Sequence, residues 1–271
     1  MLILAATPIG NIADASDRLR RTLQEAKAIA CEDTRVMRQL ASALGIDVTA
    51  KLYSLHEHNE REKIDYLLGI AETEDLVVVS DAGMPTISDP GYVLVREAVS
   101  RDIDVTIIPG ASAVVSALAV SALPTDSFSF LGFLPRKSGE RKSLFEAHRK
   151  DRSTLIFFES PHRIYDSLSD ASQVFGERNG AVARELTKKF EQVVRGTLSE
   201  LADWAKTEPK GEIVLLIEGA SEEGFDYQQL ARQALRLQER GLSLKDACAS
   251  VSELVGGSKK EIYDHALKLR A

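Results

Sequence analysis

The sequence predicts an α/β protein with two α/β lobes, an N-terminal lobe with a mostly parallel open sheet and a C-terminal lobe with a mixed sheet, followed by a helical tail. Three observations support this fold class. Short β-branched runs alternate with amphipathic stretches over the first 120 residues, the pattern of a parallel sheet whose strands are connected by helices. Two strand-like runs at 180–184 and 192–197 follow each other without an intervening helix, which indicates antiparallel pairing. Helical periodicity dominates after Gly219.

The N-terminal lobe is predicted to span residues 1–123. Its strands are short apolar runs, as expected where both faces of a parallel sheet are covered. We place these strands at Leu2–Ala5, Ala28–Cys31, Leu76–Ser80 and Val105–Ile108. The amphipathic stretches between and after the strands are predicted helices, at 16–25, 36–44, 59–71, 92–100 and 111–122.

The C-terminal lobe is predicted to span residues 124–220, after the turn cluster Leu123-Pro124-Thr125-Asp126. Its predicted strands lie at 128–131, 154–158, 180–184, 192–197 and 212–218, and its predicted helices at 142–149, 163–175 and 198–204. The tail, residues 221–271, contains two short helices around Gly256-Gly257, and Ser258 with Glu261 forms a capping-box pattern. This arrangement resembles a helix-turn-helix, although an ordinary helical hairpin is the preferred interpretation.

Composition excludes several classes of function. Lys and Arg number 34 against 41 Asp and Glu, a formal charge of −7, so RNA or DNA binding driven by the charge of the whole molecule is excluded. Aromatic residues make up only 6%, which argues against a nucleic-acid stacking platform or an aromatic-lined sugar cleft. Cys31 and Cys248 are the only cysteines, which excludes a disulfide scaffold or a four-thiolate zinc site, and we expect a reducing cytoplasm.

We expect neither a membrane segment nor a secretory signal nor a metal site. The uncharged run 105–125 is rich in small residues, Pro and Ser, which favours a buried strand, turn and helix over a membrane span. His56 and His58 lack a matching third ligand, so a hydrogen-bonded loop is the preferred interpretation.

Ligands of parallel open sheets bind beyond the carboxyl ends of the strands, and three turn-rich loops follow strands here. These loops are 6–11, 81–91 and 109–113. The middle loop holds two Gly, two Pro and two Asp, and Asp81 at its start suits a ribose diol or a cationic ligand such as a sulfonium amino acid. The dinucleotide, P-loop, zincin and α/β-hydrolase motifs are missing. The pair Glu32-Asp33 either caps the next helix or takes part in chemistry.

The basic residues are unevenly distributed. Residues 132–163 hold eight Lys or Arg and four Asp or Glu, a local charge of +4 in an acidic chain. Arg184, Lys188, Lys189 and Arg195 belong to the same predicted lobe. Solvated helix faces explain such runs, and the functional alternative is a phosphate-contacting rim that faces the first lobe.

Nine sequence blocks stand out, in order, at 6–11, 30–35, 55–60, 80–91, 109–113, 131–137, 159–163, 183–191 and 210–219. Together they closely resemble the ribosomal RNA small-subunit methyltransferase I family, a branch of the tetrapyrrole methylase superfamily. The resemblance weakens over the tail. It implies a homodimer with S-adenosyl-L-methionine bound in the cleft between the two lobes. It also implies 2′-O-ribose methylation of a cytidine in the decoding region of small-subunit (16S) ribosomal RNA, as RNA or as the assembled 30S particle, without membrane or DNA partners.

Site residues follow by transfer onto matching positions. The resemblance implies cofactor binding by Pro8, Gly10, Asp81, Ala82, Gly83, Ser88, Pro109, Gly110, Ser112, Ala113, Leu186 and Thr187. The second lobe would also contribute Glu159 and the strand end 184–187 to this cofactor pocket. Met84 and Ala111 depart from the pattern without removing a functional group. The candidates for the residue that assists the weakly nucleophilic ribose hydroxyl are Asp81, Glu159, Glu185 and Lys188. We expect Glu159 or Glu185 to have this role, because both lie among the basic residues. The predicted RNA contacts are Arg136, Lys137, Arg141, Lys142, Arg163 and Arg184.

Two other functions are compatible with the sequence. A tetrapyrrole or other small-acceptor methylase of the same superfamily has a similar cofactor lobe. A catalytically silent ribosome-assembly factor that binds through the helical tail represents a different class, and absence of S-adenosylmethionine binding favours it.

Overall fold

The computed structural model describes residues 1–56, 58–220, 227–255 and 258–269. The chain divides into two compact units, Met1–Glu218 and Gly219–Ala271. The first unit contains two five-stranded sheets, and the regular elements among the described residues of the second are helices.

The first sheet is wholly parallel, with strand order β3-β2-β4-β1-β5. Its strands are β1 Leu2–Ala5, β2 Ala28–Cys31, β3 Lys51–Ser54, β4 Leu76–Val79 and β5 Val105–Ile108. Its helices are α1 Asp17–Glu25, α2 Thr34–Leu44, α3 Glu60–Thr73, α4 Tyr92–Ser100 and α5 Ala113–Ser121. The predicted strands and helices are confirmed to within a few residues. The strand β3 was not predicted, because this four-residue edge strand has half-buried or exposed side chains and little apolar periodicity.

Local capping explains where the helices begin and end. The Ser16 hydroxyl accepts a hydrogen bond from the Leu19 amide and starts α1. Asp33 accepts one from the Arg35 amide at 2.8 Å and starts α2, so the helix-capping interpretation of this residue is confirmed. Gly45 ends α2 with a φ of 67°, a left-handed conformation that glycine adopts at little cost.

The second sheet is mixed, as predicted, with strand order β6-β7-β10-β8-β9. It contains β6 Phe128–Phe133, β7 Thr154–Glu159, β8 Asn179–Arg184, β9 Gln192–Thr197 and β10 Ile213–Ile217, with helices α6 Ser138–Ala147, α7 Ile164–Phe175 and α8 Leu198–Ala205. The predicted antiparallel pairing of β8 with β9 is confirmed. The strand β6 is parallel to β7, and β10 is antiparallel to both β7 and β8.

The two sheets of the first unit are joined by an apolar cluster. Val114 and Leu118 on α5 pack in one cluster with Ile156, Ala181 and Leu216 of the second sheet. Burial of such side chains contributes about 1.5–3 kcal/mol each. The loops at the carboxyl ends of the first sheet are therefore held at a defined position relative to the second sheet.

The second unit contains α9 Tyr227–Glu239, α10 Leu244–Val255 and α11 Lys259–Lys268 around its own core, which includes Ala234, Cys248 and Ile262. The Ser258 hydroxyl accepts a hydrogen bond from the Glu261 amide and starts α11. The predicted glycine turn, Gly256-Gly257, lies outside the described residues. Among the helices of the described ranges, none is long and apolar enough to cross a membrane.

Candidate active site

A cavity of about 380 Å³ opens between the loops of the first sheet and the second sheet, within the size range of small-molecule sites. The first lobe lines it with Ile9, Ala82, Gly83, Met84, Ile87, Ser88, Asp89, Ser112, Ala113 and Val114. The second lobe lines it with Phe133, Phe158, Glu159, Ser160, Pro161, Ala183, Leu186, Gly211, Glu212, Ile213 and Val214. The loops after the carboxyl ends of strands in the first sheet thus form one wall of the cavity, as expected for a parallel sheet.

The loop 81–91 is fixed to the first loop by paired backbone hydrogen bonds. The Thr7 amide donates to the Gly83 carbonyl at 2.9 Å, and the Gly83 amide donates to the Thr7 carbonyl at 3.1 Å. Gly83 has a φ of 83°, and Thr86 and Ser88 also have positive φ values, which cost about 1–3 kcal/mol each in residues other than glycine. The loop is therefore held in one strained shape by its surroundings.

Glu60 supports the far end of the same loop. Its side chain is buried, and Oε1 accepts hydrogen bonds from the amides of Gly91 at 3.1 Å and Leu94 at 3.0 Å. These amides lie at the start of α4, where backbone N–H groups lack intrahelical partners. A carboxylate from α3 thus caps α4 and anchors the end of the cavity loop.

Close backbone approach explains the glycine at position 10. A Cβ on Gly10 would lie 2.4 Å from Lys188 Cγ and 2.9 Å from Thr187 Oγ1. The neighbouring Asn11 amide donates to Thr187 Oγ1 at 3.0 Å. The first loop of the N-terminal lobe therefore contacts the 185–191 segment of the C-terminal lobe directly.

The structure places only part of the predicted cofactor set in the cavity wall. Six of these residues line it: Ala82, Gly83, Ser88, Ser112, Ala113 and Leu186. The other six belong to the same loops without lining the cavity: Pro8, Gly10, Asp81, Pro109, Gly110 and Thr187. Asp89, Phe133 and the start of β10 (residues 211–214) also line the cavity and were not predicted as site residues, although all lie within blocks that carry the family resemblance.

Asp89 is the titratable group of the cavity whose protonation is most altered. Burial, followed by the nearby charges of Glu32 and Asp81, raises the pKa of Asp89 to about 7, and a hydrogen bond with Ser80 opposes the shift. Burial also raises the pKa of Asp81, whose carboxylate accepts a hydrogen bond from the Asp33 amide at 3.2 Å. Asp89 thus lines the cavity close to two further carboxyl groups, and their negative charges help to raise its pKa.

Glu159 lines the cavity but is occupied by partners from its own chain. Its Oε1 lies 2.5 Å from Arg163 Nη2 and accepts a hydrogen bond from the Ser160 amide, and its Oε2 accepts one from the Ser167 hydroxyl. The side chain is buried. These contacts occupy both carboxylate oxygens of Glu159, which orients Arg163 and the segment after β7.

Glu185 and Lys188 form an ion-paired group with Glu212. The Lys188 ammonium lies 2.9 Å from both Glu185 Oε1 and Glu212 Oε2. A hydrogen bond from the Glu212 amide, followed by one from Lys188, lowers the pKa of Glu185. Although burial opposes it, pairing with Glu212 and Glu185 raises the pKa of Lys188. Neither group is therefore well suited to accept a proton near neutral pH, which weakens the expectation that Glu185 acts as a base.

The predicted RNA contacts fall into three groups. Arg141 is buried, and its guanidinium binds Asp170 at 2.6 Å, so its position argues against an RNA contact and the residue supports packing of α6 on α7. Four others have intramolecular partners: Lys137 pairs with Glu140, Lys142 with Asp170, Arg163 with Glu159 and Arg184 with the Lys210 carbonyl. Arg136 and Lys137 are exposed beyond the end of β6. The basic rim is therefore smaller than its sequence suggested.

No group of three His, Cys, Asp or Glu side chains suited to holding a metal ion occurs within the described ranges. His56 instead packs near His58, with ring centroids 6.1 Å apart, and its Nε2 lies 2.9 Å from Asn59 Nδ2.

Comparison with known proteins agrees with this architecture. Residues 1–202 match the family model of tetrapyrrole (corrin/porphyrin) methylases, and residues 228–270 match the model of the RsmI C-terminal HTH domain. The chain also resembles solved structures of diphthine synthase (TM-score 0.62, 14% identity, 80% of this chain and 89% of that one) and of the methyltransferase CobJ (TM-score 0.60, 17% identity, 81% and 94%). The fold and its cleft are those of a tetrapyrrole methylase.

Relatives at higher identity define the branch. The ribosomal RNA small subunit methyltransferase I of Halalkalibacterium halodurans is 43% identical, over 97% of this chain and 93% of its own length. The proteins of that name from Mycobacterium tuberculosis and Escherichia coli O157:H7 are each 42% identical, over 99% and 98% of this chain and 95% and 94% of their own lengths. The chain belongs to the ribosomal RNA small subunit methyltransferase I family.

Proposed function

We propose that this protein transfers a methyl group from S-adenosyl-L-methionine to the ribose 2′-hydroxyl of a cytidine in the decoding region of small-subunit ribosomal RNA. The observation that supports this most is the cavity between the two lobes, which combines strained, small-residue loops of one lobe with aromatic and acidic groups of the other. Near full-length similarity to rRNA methyltransferases supports the acceptor class.

The residues of the first lobe fit the proposed cofactor. Ala82, Gly83, Ser112 and Ala113 have small side chains, so a ligand can approach the backbone at this wall. The positive φ of Gly83 would strain any other residue at this position, and a Cβ there would lie 3.2 Å from Ile9 Cγ2, so that Ile9 would have to shift. Asp81 and Asp89 are negative or neutral groups that suit hydroxyls or a sulfonium. When bound, the cofactor supplies a methyl carbon already activated for displacement.

The chain's own task is to position the acceptor hydroxyl and to take its proton. Asp89 is the best candidate for the second task, because it lines the cavity and its pKa of about 7 matches the working pH of a general base. Glu159 contacts Arg163 and Glu185 contacts Lys188 in ion pairs. In this proposal they orient Arg163 and Lys188 rather than accept the proton.

We also propose that the protein acts as a homodimer in the cytoplasm. The strand β5 ends the first sheet, with Ile107 exposed, and Val115 and Val120 on the following helix are exposed as well. An unpaired sheet edge beside apolar side chains is suited to contact with a second copy. Sedimentation of the purified chain tests this, and a monomer at micromolar concentration would contradict it.

Transfer of labelled methyl groups is the decisive experiment. Small ribosomal subunits that lack the modification, naked 16S RNA and a free tetrapyrrole are offered in parallel, and the labelled nucleoside is identified after digestion. We expect label on a cytidine ribose in the ribosomal substrates and none in the tetrapyrrole. Label on a base, or on the tetrapyrrole alone, would refute the proposal. Calorimetry with S-adenosylmethionine identifies a silent binding factor, which would show no binding.

A further inference from the structure

Phe133 is an exposed aromatic side chain at the cavity wall. Its exposed fraction is 62%, whereas Phe145 and Phe157 of the same lobe are fully buried. An exposed phenylalanine loses hydrophobic stabilisation that burial would provide. Its position in a ligand cavity therefore suggests that a bound molecule covers it.

An irregularity in β6 directs Phe133 toward the cavity. Residues 128–130 pair with 154–156 in register, and Phe133 then pairs with Phe158, so that the register shifts by one residue. Gly132 lies within the shift and has a φ of 71°, a left-handed conformation that favours glycine. Such bulges re-aim side chains and occur next to active sites. The local backbone is thus built to place this ring.

The ring of Phe133 packs against Phe158. Its centroid lies 5.3 Å from that of Phe158 in an edge-to-face arrangement. The Leu134 amide donates to the Phe158 carbonyl at 3.2 Å, and Arg163 donates to the Leu134 carbonyl at 3.3 Å. These contacts fix the backbone and one edge of Phe133 while most of its surface stays open. A preorganised aromatic surface loses little conformational freedom when a flat ligand binds.

Phe133 lies across the sheet from the cofactor residues predicted in this lobe. It belongs to β6, and Leu186 and Thr187 follow β8, three strand spacings away in the order β6-β7-β10-β8, or about 14 Å at the usual interstrand distance. The exposed cations Arg136 and Lys137 follow Phe133 by a few residues. An aromatic surface beside cations is the combination that binds unstacked nucleotides.

We propose that Phe133 forms the subsite for the nucleobase of the RNA acceptor, which leaves its helical stack and packs on the phenyl ring while its ribose faces the cavity. This inference rests on the proposed function and adds the residue that positions the acceptor. The low aromatic content of the chain does not oppose it, because one ring suffices for one base.

Four variants test the subsite. Phe133→Ala removes the ring, Phe133→Leu keeps an apolar side chain without a flat face, and Phe133→Tyr keeps the face. Phe128→Ala is the control, because Phe128 lies on the same strand, is 44% exposed and does not line the cavity. For each variant, kcat and KM are measured with unmodified small subunits, the cofactor Kd by calorimetry, and folding by circular dichroism and thermal melting.

We expect Phe133→Ala and Phe133→Leu to lower kcat/KM about 5- to 150-fold, the range for loss of one stacked base, mainly through KM. Phe133→Tyr and Phe128→Ala should resemble the wild type, and cofactor Kd should be unchanged throughout. Wild-type kinetics for Phe133→Leu would overturn the proposal, and so would an equal loss of cofactor binding. If Phe133→Ala fails to fold, the comparison of Phe133→Leu with Phe133→Tyr still tests the subsite. If instead the proposed function is wrong, the wild type itself would not methylate the subunit, which distinguishes that outcome from failure of the subsite proposal.

Discussion

Asp89 provides a quantitative test of the site's electrostatics through the variant Asp89→Asn. Burial and the charges of Glu32 and Asp81 raise the pKa of this carboxyl from 3.8 to about 7. The folded state therefore binds a proton that the unfolded state has lost, and stability falls as pH rises between these two values. Below pH 3.8 both states are protonated and the effect vanishes. Above pH 7 the full cost of an ionised, partly buried Asp89 is present.

The magnitude follows from the size of the shift. A change of about three units corresponds to roughly 4 kcal/mol in the absence of screening, and partial exposure reduces this to about 1–2 kcal/mol. Asp89→Asn removes the cost. The free energy of unfolding of the variant minus that of the wild type should therefore be about 1–2 kcal/mol larger at pH 8 than at pH 4.

Urea unfolding of the full chain at a series of pH values measures this difference. Asp126→Asn, at an exposed position outside the cavity, is the matched control and should show no such trend. Methyl transfer is measured in parallel, and we expect Asp89→Asn to lower kcat and to abolish its rise with pH near neutrality. A stability difference independent of pH would refute the electrostatic argument. An unchanged kcat profile would refute the role of Asp89 as proton acceptor.

Three further predictions concern the rim, the core and the loop anchor. Replacing Arg136 and Lys137 together by Ala should weaken RNA binding and reduce the slope of log affinity against log salt by about 0.7 per lost phosphate contact, with cofactor Kd unchanged; equal losses of both affinities would contradict the rim. Asp170→Ala should destabilise the chain by about 3–5 kcal/mol in urea unfolding, because it leaves the buried guanidinium unpaired; a loss below about 1 kcal/mol would contradict this. Glu60→Ala should lower the free energy of unfolding by about 1–3 kcal/mol and raise the cofactor KM, because two amides lose their acceptor. Glu60→Gln should retain most of the stability and a KM close to that of the wild type. An equal effect of the two variants would contradict the capping role.

Much of the fold could be predicted from local patterns. Runs such as Leu76–Val79 are strands because they are apolar and short, and the strand–helix alternation requires parallel pairing. Asp33 before α2 was recognisable as a cap from its type and position. The blocks that carry the family resemblance also indicated the loops that line the cavity, because residues around one ligand come from several short motifs along the chain.

What the sequence by itself determined is most of the helices and strands, the fold class and the family. The tertiary structure decided which side chains are available for chemistry. Arg141 belongs to a basic run but is buried against Asp170, and Asp89 is one aspartate among many until Glu32 and Asp81 are brought beside it. Phe133 faces the cavity because a bulge shifts its strand. Burial, pKa and orientation depend on atoms that are distant along the chain, and only the folded arrangement brings those atoms together.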